Sequence, residues 1–270
     1  MQTVMKKCKK PNAKYASSRI NKQHVYEPTD FGLSHVGGTG NGVKICIIDS
    51  GFVRHKDMPP IDMSRVSDFT QKSSQPKDSN GHATAISGII AANNEKQVKG
   101  LAPKAKLYYA KALDDSGNGN YDTMVSSILW SIVRNVDIIV MSVGGSSESQ
   151  MLYDVIDKAY NHNICIFAAN ASSSMNASLA SYPAKFDTVF SVGVDSKITH
   201  PQSSSGHSLI FPSNEIQTLF LDDKYIKIKG SSFYNAVVVG VAARIIENYK
   251  KSESYSVSDV YKTLRGLAIR

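Results

Sequence analysis

The sequence predicts an α/β fold: a doubly wound, mostly parallel sheet flanked by helices on both faces. Three observations carry this. Short β-rich runs alternate with helical patterns from about residue 42 onward. Each run is nearly continuous in apolar residues, the signature of a strand buried on both faces. The segments between them are amphipathic at helical spacing, which suits crossover connections.

The strands are expected at 43–48, 107–112, 137–142, 164–168 and 188–194. Between them, Met124, Ile128, Leu129, Ile132 and Val133 lie along one face of a helix over 121–134, and 150–162 supplies a second amphipathic helix. A third helix, over 233–249, has almost no polar face in its first half and must be buried. The pattern Ser256-Val-Ser-Asp259 is a capping box that opens a final surface helix. Long irregular regions are expected at 52–80 and 196–230, where loops of such length in a compact domain are functional edges or insertions.

The chain has 270 residues, enough for one large core, with 41% hydrophobic and 20% charged residues, so disorder is excluded. No apolar run approaches the roughly 18–20 residues needed to cross a bilayer. The formal charge of +8 is concentrated: residues 1–24 hold Lys6, Lys7, Lys9, Lys10, Lys14, Arg19 and Lys22 with no acid. The remainder is nearly neutral and offers no basic field for nucleic acid. Residues 1–25 therefore read as a flexible or regulatory basic arm, and 26–270 as the folded domain. Cys8, Cys46 and Cys165 have no metal-ligand spacing and no even pairing, and the start lacks an apolar signal segment. Both features predict a reducing, cytoplasmic setting.

In open α/β sheets, ligand sites gather at the carboxyl edge of the strands. Asp49 directly follows the first strand and precedes Ser50-Gly51. His82 opens a helix of small and apolar residues, in which Ala83, Ala85, Ser87 and Gly88 permit close packing of the kind that fixes a base in place. Ser231 and Ser232 stand at the mouth of the buried helix, where free amides and the helix dipole favour an oxyanion. Taken singly, each is explained by a turn, a structural histidine or an N-cap. Taken together, Asp, His and Ser in this chain order form a known proteolytic constellation.

On these residues the chain resembles the subtilase family of subtilisin-like serine proteases, over about residues 26–249. Asp49-Ser-Gly, the run from His82 to Gly88 and Gly230-Ser-Ser232 resemble the three catalytic motifs. Residues 100–103, 113–119, 141–145 and 167–170 resemble family segments between them. The resemblance implies Ser232 as nucleophile, His82 as general base and acid, Asp49 as the group orienting the imidazole, and Asn170 as an oxyanion donor beside the Ser232 amide. It also implies an extended polypeptide substrate lying between Ser142-Val143-Gly144 and Asn118-Gly119. Tyr121 and Met124 resemble walls of a more distant side-chain pocket, and helical spacing equally suits them to core packing.

Several positions depart from the family. Ala83 and Ala169 replace glycines, and Phe233-Tyr-Asn-Ala-Val237 replaces a run of smaller residues. Ala169 and Ser181 align with glycines lining the pocket for the residue before the cleaved bond, which predicts a narrowed pocket. Tyr182-Pro183 resembles a family position with a cis peptide. No cofactor is required for this chemistry. Asp57 resembles an acid of a family calcium site, but the partnering loop 93–99 is one residue shorter and carries Lys96 and Lys99, so a structural calcium stays unassigned. The character is closest to intracellular or phage-type members. Two alternatives remain: a subtilase fold acting as a binding or regulatory partner without turnover, and an esterase or transpeptidase using the same site. Oligomeric state is left open.

Overall fold

The computed structural model describes residues 10–12, 16–18, 24–70, 76–94, 97–170, 181–203, 206–252 and 254–268. In chain order the strands are β1 (His24–Val25), β2 (Lys44–Asp49), β3 (Val66–Asp68), β4 (Val98–Lys99), β5 (Lys106–Lys111), β6 (Ile138–Met141), β7 (Cys165–Ala169), β8 (Phe190–Asp195), β9 (Gln202–Ser203), β10 (Ser208–Pro212), β11 (Ile216–Phe220) and β12 (Lys224–Ile228). The helices are α1 (His82–Ala91), α2 (Tyr121–Val133), α3 (Gln150–Asn161), α4 (Ser231–Lys251) and α5 (Val257–Gly266).

One sheet runs in the order β3-β5-β2-β6-β7-β8-β10-β9, parallel throughout except for β9. From β2 the chain first adds strands on one side, β3 and β5, and then builds outward on the other side from β6. The winding direction therefore reverses at β2, and the crevice beyond its carboxyl end is where such folds place their ligands.

Alternation along each strand sorts the core into two layers. Ile45 and Ile47 of β2, Leu107 and Tyr109 of β5, and Phe167 of β7 face α1, α4 and α5. Cys46, Ile48, Tyr108, Ala110, Ile166 and Ala168 face α2 and α3. The all-round apolar first half of α4 is explained by this layering: residues Phe233 to Glu247 are all buried, enclosed by the sheet, α1 and α5.

The five predicted strands and the predicted helices are present, with ends differing by one or two residues. The long stretches expected to be irregular are a correction. Residues 52–80 contain β3, which extends the main sheet, and 196–230 contain β9, β10 and the β11–β12 hairpin. That hairpin turns through Asp222 and Asp223, both at positive φ (58° and 56°), a turn without the glycine or asparagine that ordinarily marks one.

The boundary expected at residue 25/26 falls inside paired structure. His24 and Val25 lie in register with Val98 and Lys99, and the backbones of Ser17 and Tyr225 exchange two hydrogen bonds of 2.8 Å. These points of the basic segment are fastened to the body. Lys6, Lys7, Lys9, Lys14, Arg19, Lys22 and Cys8 lie outside the described residues.

Candidate active site

Asp49 is the last residue of β2, at the point where the winding reverses, and is 1% exposed. His82 is the first residue of α1 and is 3% exposed. Their side chains meet: Nδ1 of His82 lies 2.9 Å and 3.0 Å from the two Asp49 oxygens. A carboxylate only accepts, so this contact puts a proton on Nδ1. In the neutral ring Nε2 is then the basic nitrogen.

Both partners are held from behind. The Ser50 amide donates to Asp49 Oδ1 at 2.7 Å, and the Ser50 hydroxyl shares its proton between Asp49 Oδ1 (3.0 Å) and Asp78 Oδ1 (2.9 Å). Asp78 also accepts from the amides of Asn80, Gly81 and Thr84 and from the Thr84 hydroxyl. The N-cap of α1 is Gly81, at φ 93°, which supplies no side-chain acceptor. Asp78 takes over that duty, so one buried carboxylate satisfies the amides entering α1 and ties them to the Asp49 turn.

Small residues let α1 approach its neighbours. A Cβ on Gly88 would lie 2.5 Å from Thr218 Oγ1 and 2.7 Å from Leu219 Cγ, so β11 packs against this turn only because Gly88 has no side chain. Thr218 Oγ1 in turn donates to the Ala85 carbonyl at 2.8 Å. Lys111, 0% exposed and in register with Asp49, reaches under the same turn to the Ser50 carbonyl (2.6 Å) and Asp115 (2.9 Å).

Ser232 is the second residue of α4, behind Gly230 as N-cap, so neither Ser231 nor Ser232 is the cap. Its amide belongs to the first turn, where no intrahelical acceptor exists. Ser232 Oγ lies 3.4 Å from the Ser142 carbonyl, and the ring of the next residue, Phe233, lies 5.5 Å from the His82 imidazole at a tilt of 54°. Asn170 follows β7 at the same sheet edge and is half-buried, with its amide bonded to the Val192 carbonyl at 2.7 Å.

The predicted substrate edges divide. Ser142, Val143 and Gly144 continue directly from β6, and Gly145 pairs antiparallel with Tyr182 through two 2.9 Å bonds. Asn118 and Gly119 lie in the loop before α2. There Asp114 Oδ1 accepts from the Asn118 amide at 2.9 Å, and the Asp114 amide donates to the Asn118 carbonyl at 2.8 Å. A Cβ on Gly144 would fall 2.5 Å from the Tyr182 carbonyl and 3.0 Å from Ser181 Oγ, so the Ser181 side chain stands against this strand. Ala169, the last residue of β7, is buried. Tyr121 is buried, its hydroxyl donates to the Ser147 carbonyl at 2.5 Å, and Met124 is buried in the α2–α3 layer. The Tyr182-Pro183 bond is cis.

The family resemblance places a calcium near Asp57, so the donors there test the fit. Both Asp57 oxygens face hydrogen donors at 2.7 Å: the Tyr225 hydroxyl and the Asn94 side-chain amide. The Asp57 backbone amide donates to His55 Nδ1 at 3.1 Å, while His55 Nε2 lies 3.1 Å from the Lys224 carbonyl. A hard cation needs about six to eight oxygens. Each oxygen accepts one such bond, and among the described residues no group of three or more His, Cys, Asp or Glu side chains gathers here, so no calcium site is assigned. Lys96 lies outside the described residues.

A family model described as the subtilase family matches residues 40–266. The chain belongs to the subtilase family. Among individual subtilases, it is 37% identical over 221 residues to subtilisin DY of Bacillus licheniformis, covering 79% of this chain and 80% of that protein. It is 33% identical over 235 residues to the subtilisin of Bacillus pumilus, covering 84% and 85%. With subtilisin amylosacchariticus of Bacillus subtilis subsp. amylosacchariticus, identity is 32% over 275 residues, covering 96% of this chain and 72% of that protein. This subtilase is a serine endopeptidase, acting on polypeptides.

The sequence does not by itself single out Asp78 and Lys111, which stand behind Asp49 and His82. The signal for Asp78 is an aspartate four residues before the histidine, at capping distance from a helix whose own cap is glycine. Lys111 gives no such signal, since it sits inside an apolar strand pattern.

Proposed function

We propose that amide hydrolysis in this enzyme proceeds through an acyl-enzyme on Ser232, with His82 as base and then acid, Asp49 as orienting anion, and Asn170 with the Ser232 amide as oxyanion donors. The observation that carries the reading is the paired contact of His82 Nδ1 with both Asp49 oxygens. It fixes the tautomer, so Nε2 takes the proton from the Ser232 hydroxyl as Oγ attacks the scissile carbonyl. The same proton then passes to the leaving amine, and water repeats the cycle to release the acid. Burial of both residues strengthens the attraction between Asp49 and the transient imidazolium.

Substrate in extended form pairs with the 142–144 backbone, with Asn118 and Gly119 as the opposite edge. Ala169 and Ser181 narrow the pocket for the residue before the cleaved bond, so small and medium side chains are preferred. The hydrogen bonds that Asp57 accepts from Tyr225 and Asn94 support a fold held at that place without calcium, and chelation should leave the thermal midpoint unchanged. Burial of Cys46 pushes its thiol up to about 12, and Cys165 is likewise buried and free. Two buried cysteines outside any disulfide suit a reducing compartment.

A fluorophosphonate probe tests the assignment. Wild-type protein should label at Ser232 and cleave peptides, whereas Ser232→Ala should do neither. Equal labelling of the variant, or peptide cleavage by it, overturns the reading. No labelling of wild type favours a binding protein on this fold.

A further inference from the structure

Asn235 lies three residues after Ser232 on α4, which places it on the same helix face one turn along. It is 0% exposed, within an otherwise apolar run. Its side-chain nitrogen donates to the Met141 carbonyl at 3.2 Å and to Ser142 Oγ at 3.3 Å. The Ser142 hydroxyl, having accepted, donates to the Ser232 carbonyl at 3.2 Å. Donors and acceptors run in one direction, from Asn235 through Ser142 to Ser232. The Met141 carbonyl can only accept, which settles the orientation of the amide.

The other end of that amide is anomalous. Asn235 Oδ1 is buried with no hydrogen-bond partner among the described residues. An unpaired buried acceptor is costly, and an apolar residue of similar size would remove the cost. An asparagine here is intelligible if the nitrogen side does something that an apolar residue cannot. Met141 and Ser142 are the end of β6, and Ser142-Val143-Gly144 is the edge along which substrate pairs. Ser232 is the attacking residue. The amide thus spans the two parts whose spacing sets the distance of attack.

We propose that Asn235 is a positioning residue, which sets the register of the nucleophile-bearing first turn of α4 against the substrate-pairing edge through the relay Asn235–Ser142–Ser232. This rests on Ser232 being the nucleophile. Displacement of reacting groups by about an ångström costs on the order of a hundredfold in rate. Met141 is also held by its ladder neighbours Ile48 and Ala168, so the effect belongs in the chemical step.

The test is steady-state kinetics on a peptide substrate, well below the thermal midpoint, for Asn235→Ala, Asn235→Leu and Asn235→Ser, with unfolding measured in parallel. Positioning predicts that kcat falls roughly ten- to hundredfold in the Ala and Leu variants while KM stays within about threefold. The serine variant, which restores a donor, should recover part of the loss. Ser142→Ala should lose kcat similarly, and the Ser142→Ala/Asn235→Ala double variant should be no worse than the poorer single one, because both interrupt the same relay. Parent-like kcat in folded Asn235→Ala, a loss confined to KM, or additive losses in the double variant would each overturn the inference. If Asn235→Ala does not fold, the Leu and Ser142→Ala variants decide it by the same readouts. Full activity of Ser232→Ala would instead refute the assignment of the nucleophile, so the two failures are distinct.

Discussion

Replacing Asp78 should loosen the turn that carries Asp49 and His82 together. Its carboxylate receives five hydrogen bonds: from the Ser50 hydroxyl, the amides of Asn80, Gly81 and Thr84, and the Thr84 hydroxyl. Asp78→Asn keeps the shape. Its single remaining oxygen is best used toward Ser50, Asn80 and Gly81, where Oδ1 now sits, which leaves an NH2 group facing the Thr84 amide. That is one buried donor opposing another, plus loss of the charge assisting the remaining bonds, for about 2–3 kcal/mol. Asp78→Ala leaves three entering amides without an acceptor and opens a void, for about 4–5 kcal/mol. For a chain of this size these correspond to falls of about 4–12 °C and about 8–20 °C in thermal midpoint. Calorimetry in a Ser232→Ala background avoids self-digestion and reads both values. The reasoning is refuted if either variant stays within about 0.5 kcal/mol of its parent, the range of an inconsequential surface change. It is equally refuted if Asn proves more damaging than Ala.

Three further outcomes follow from the same geometry. Asn170→Ala should lower kcat by about 10²–10³, the effect of removing one oxyanion donor in a subtilisin, with KM little changed; a loss in KM alone would contradict its role. Ser181→Gly should raise kcat/KM for peptides with a large aromatic before the cleaved bond by about tenfold relative to those with alanine there, as a cleavage profile would show. An unchanged profile removes Ser181 as the narrowing group. His55 should make stability fall in acid. Its pKa is lowered chiefly by burial, against the raising influence of the Lys224 carbonyl, Asp57 and Asp223, with Lys56 lowering it further. As pH falls through about 6.5 the unfolded chain takes up the proton first, so stability declines until the folded-state pKa is passed. Protonating Nδ1 would also break the bond from the Asp57 amide. Denaturant titrations at pH 7.5 and 5.5 should show a smaller loss for His55→Gln than for the parent, and equal losses would count against this account.

Much of the candidate site is legible because its residues coincide with strong local patterns. Asp49 ends an unbroken apolar strand, His82 opens a helix of small residues, and Ser232 lies in the first turn of a helix whose first half has almost no polar face. Each lies at an element boundary, where periodicity changes. The β9–β12 region was not legible. Its strands are short, β10 alternates only over five residues, and the β11–β12 turn uses two aspartates whose left-handed backbone is set by the hairpin. The groups behind the site were hidden for another reason. Lys111 and Asn235 read as interruptions of apolar segments, and nothing nearby in sequence reveals Ser50 as a partner of the first or Met141 and Ser142 as partners of the second.

The order of the strands, the helices between them and the residues at their ends were determined by local pattern: hydrophobic period, capping residues and breaks belong to neighbouring positions in the chain. What only the tertiary structure decided is which polar groups satisfy one another across distance. Asp57 accepts from Tyr225 and Asn94, Asp78 accepts from the Ser50 hydroxyl, and Asn235 bridges α4 to β6. A buried polar group must be paired by whatever the fold brings within about 3 Å, and separation along the chain places no constraint on which residue that is.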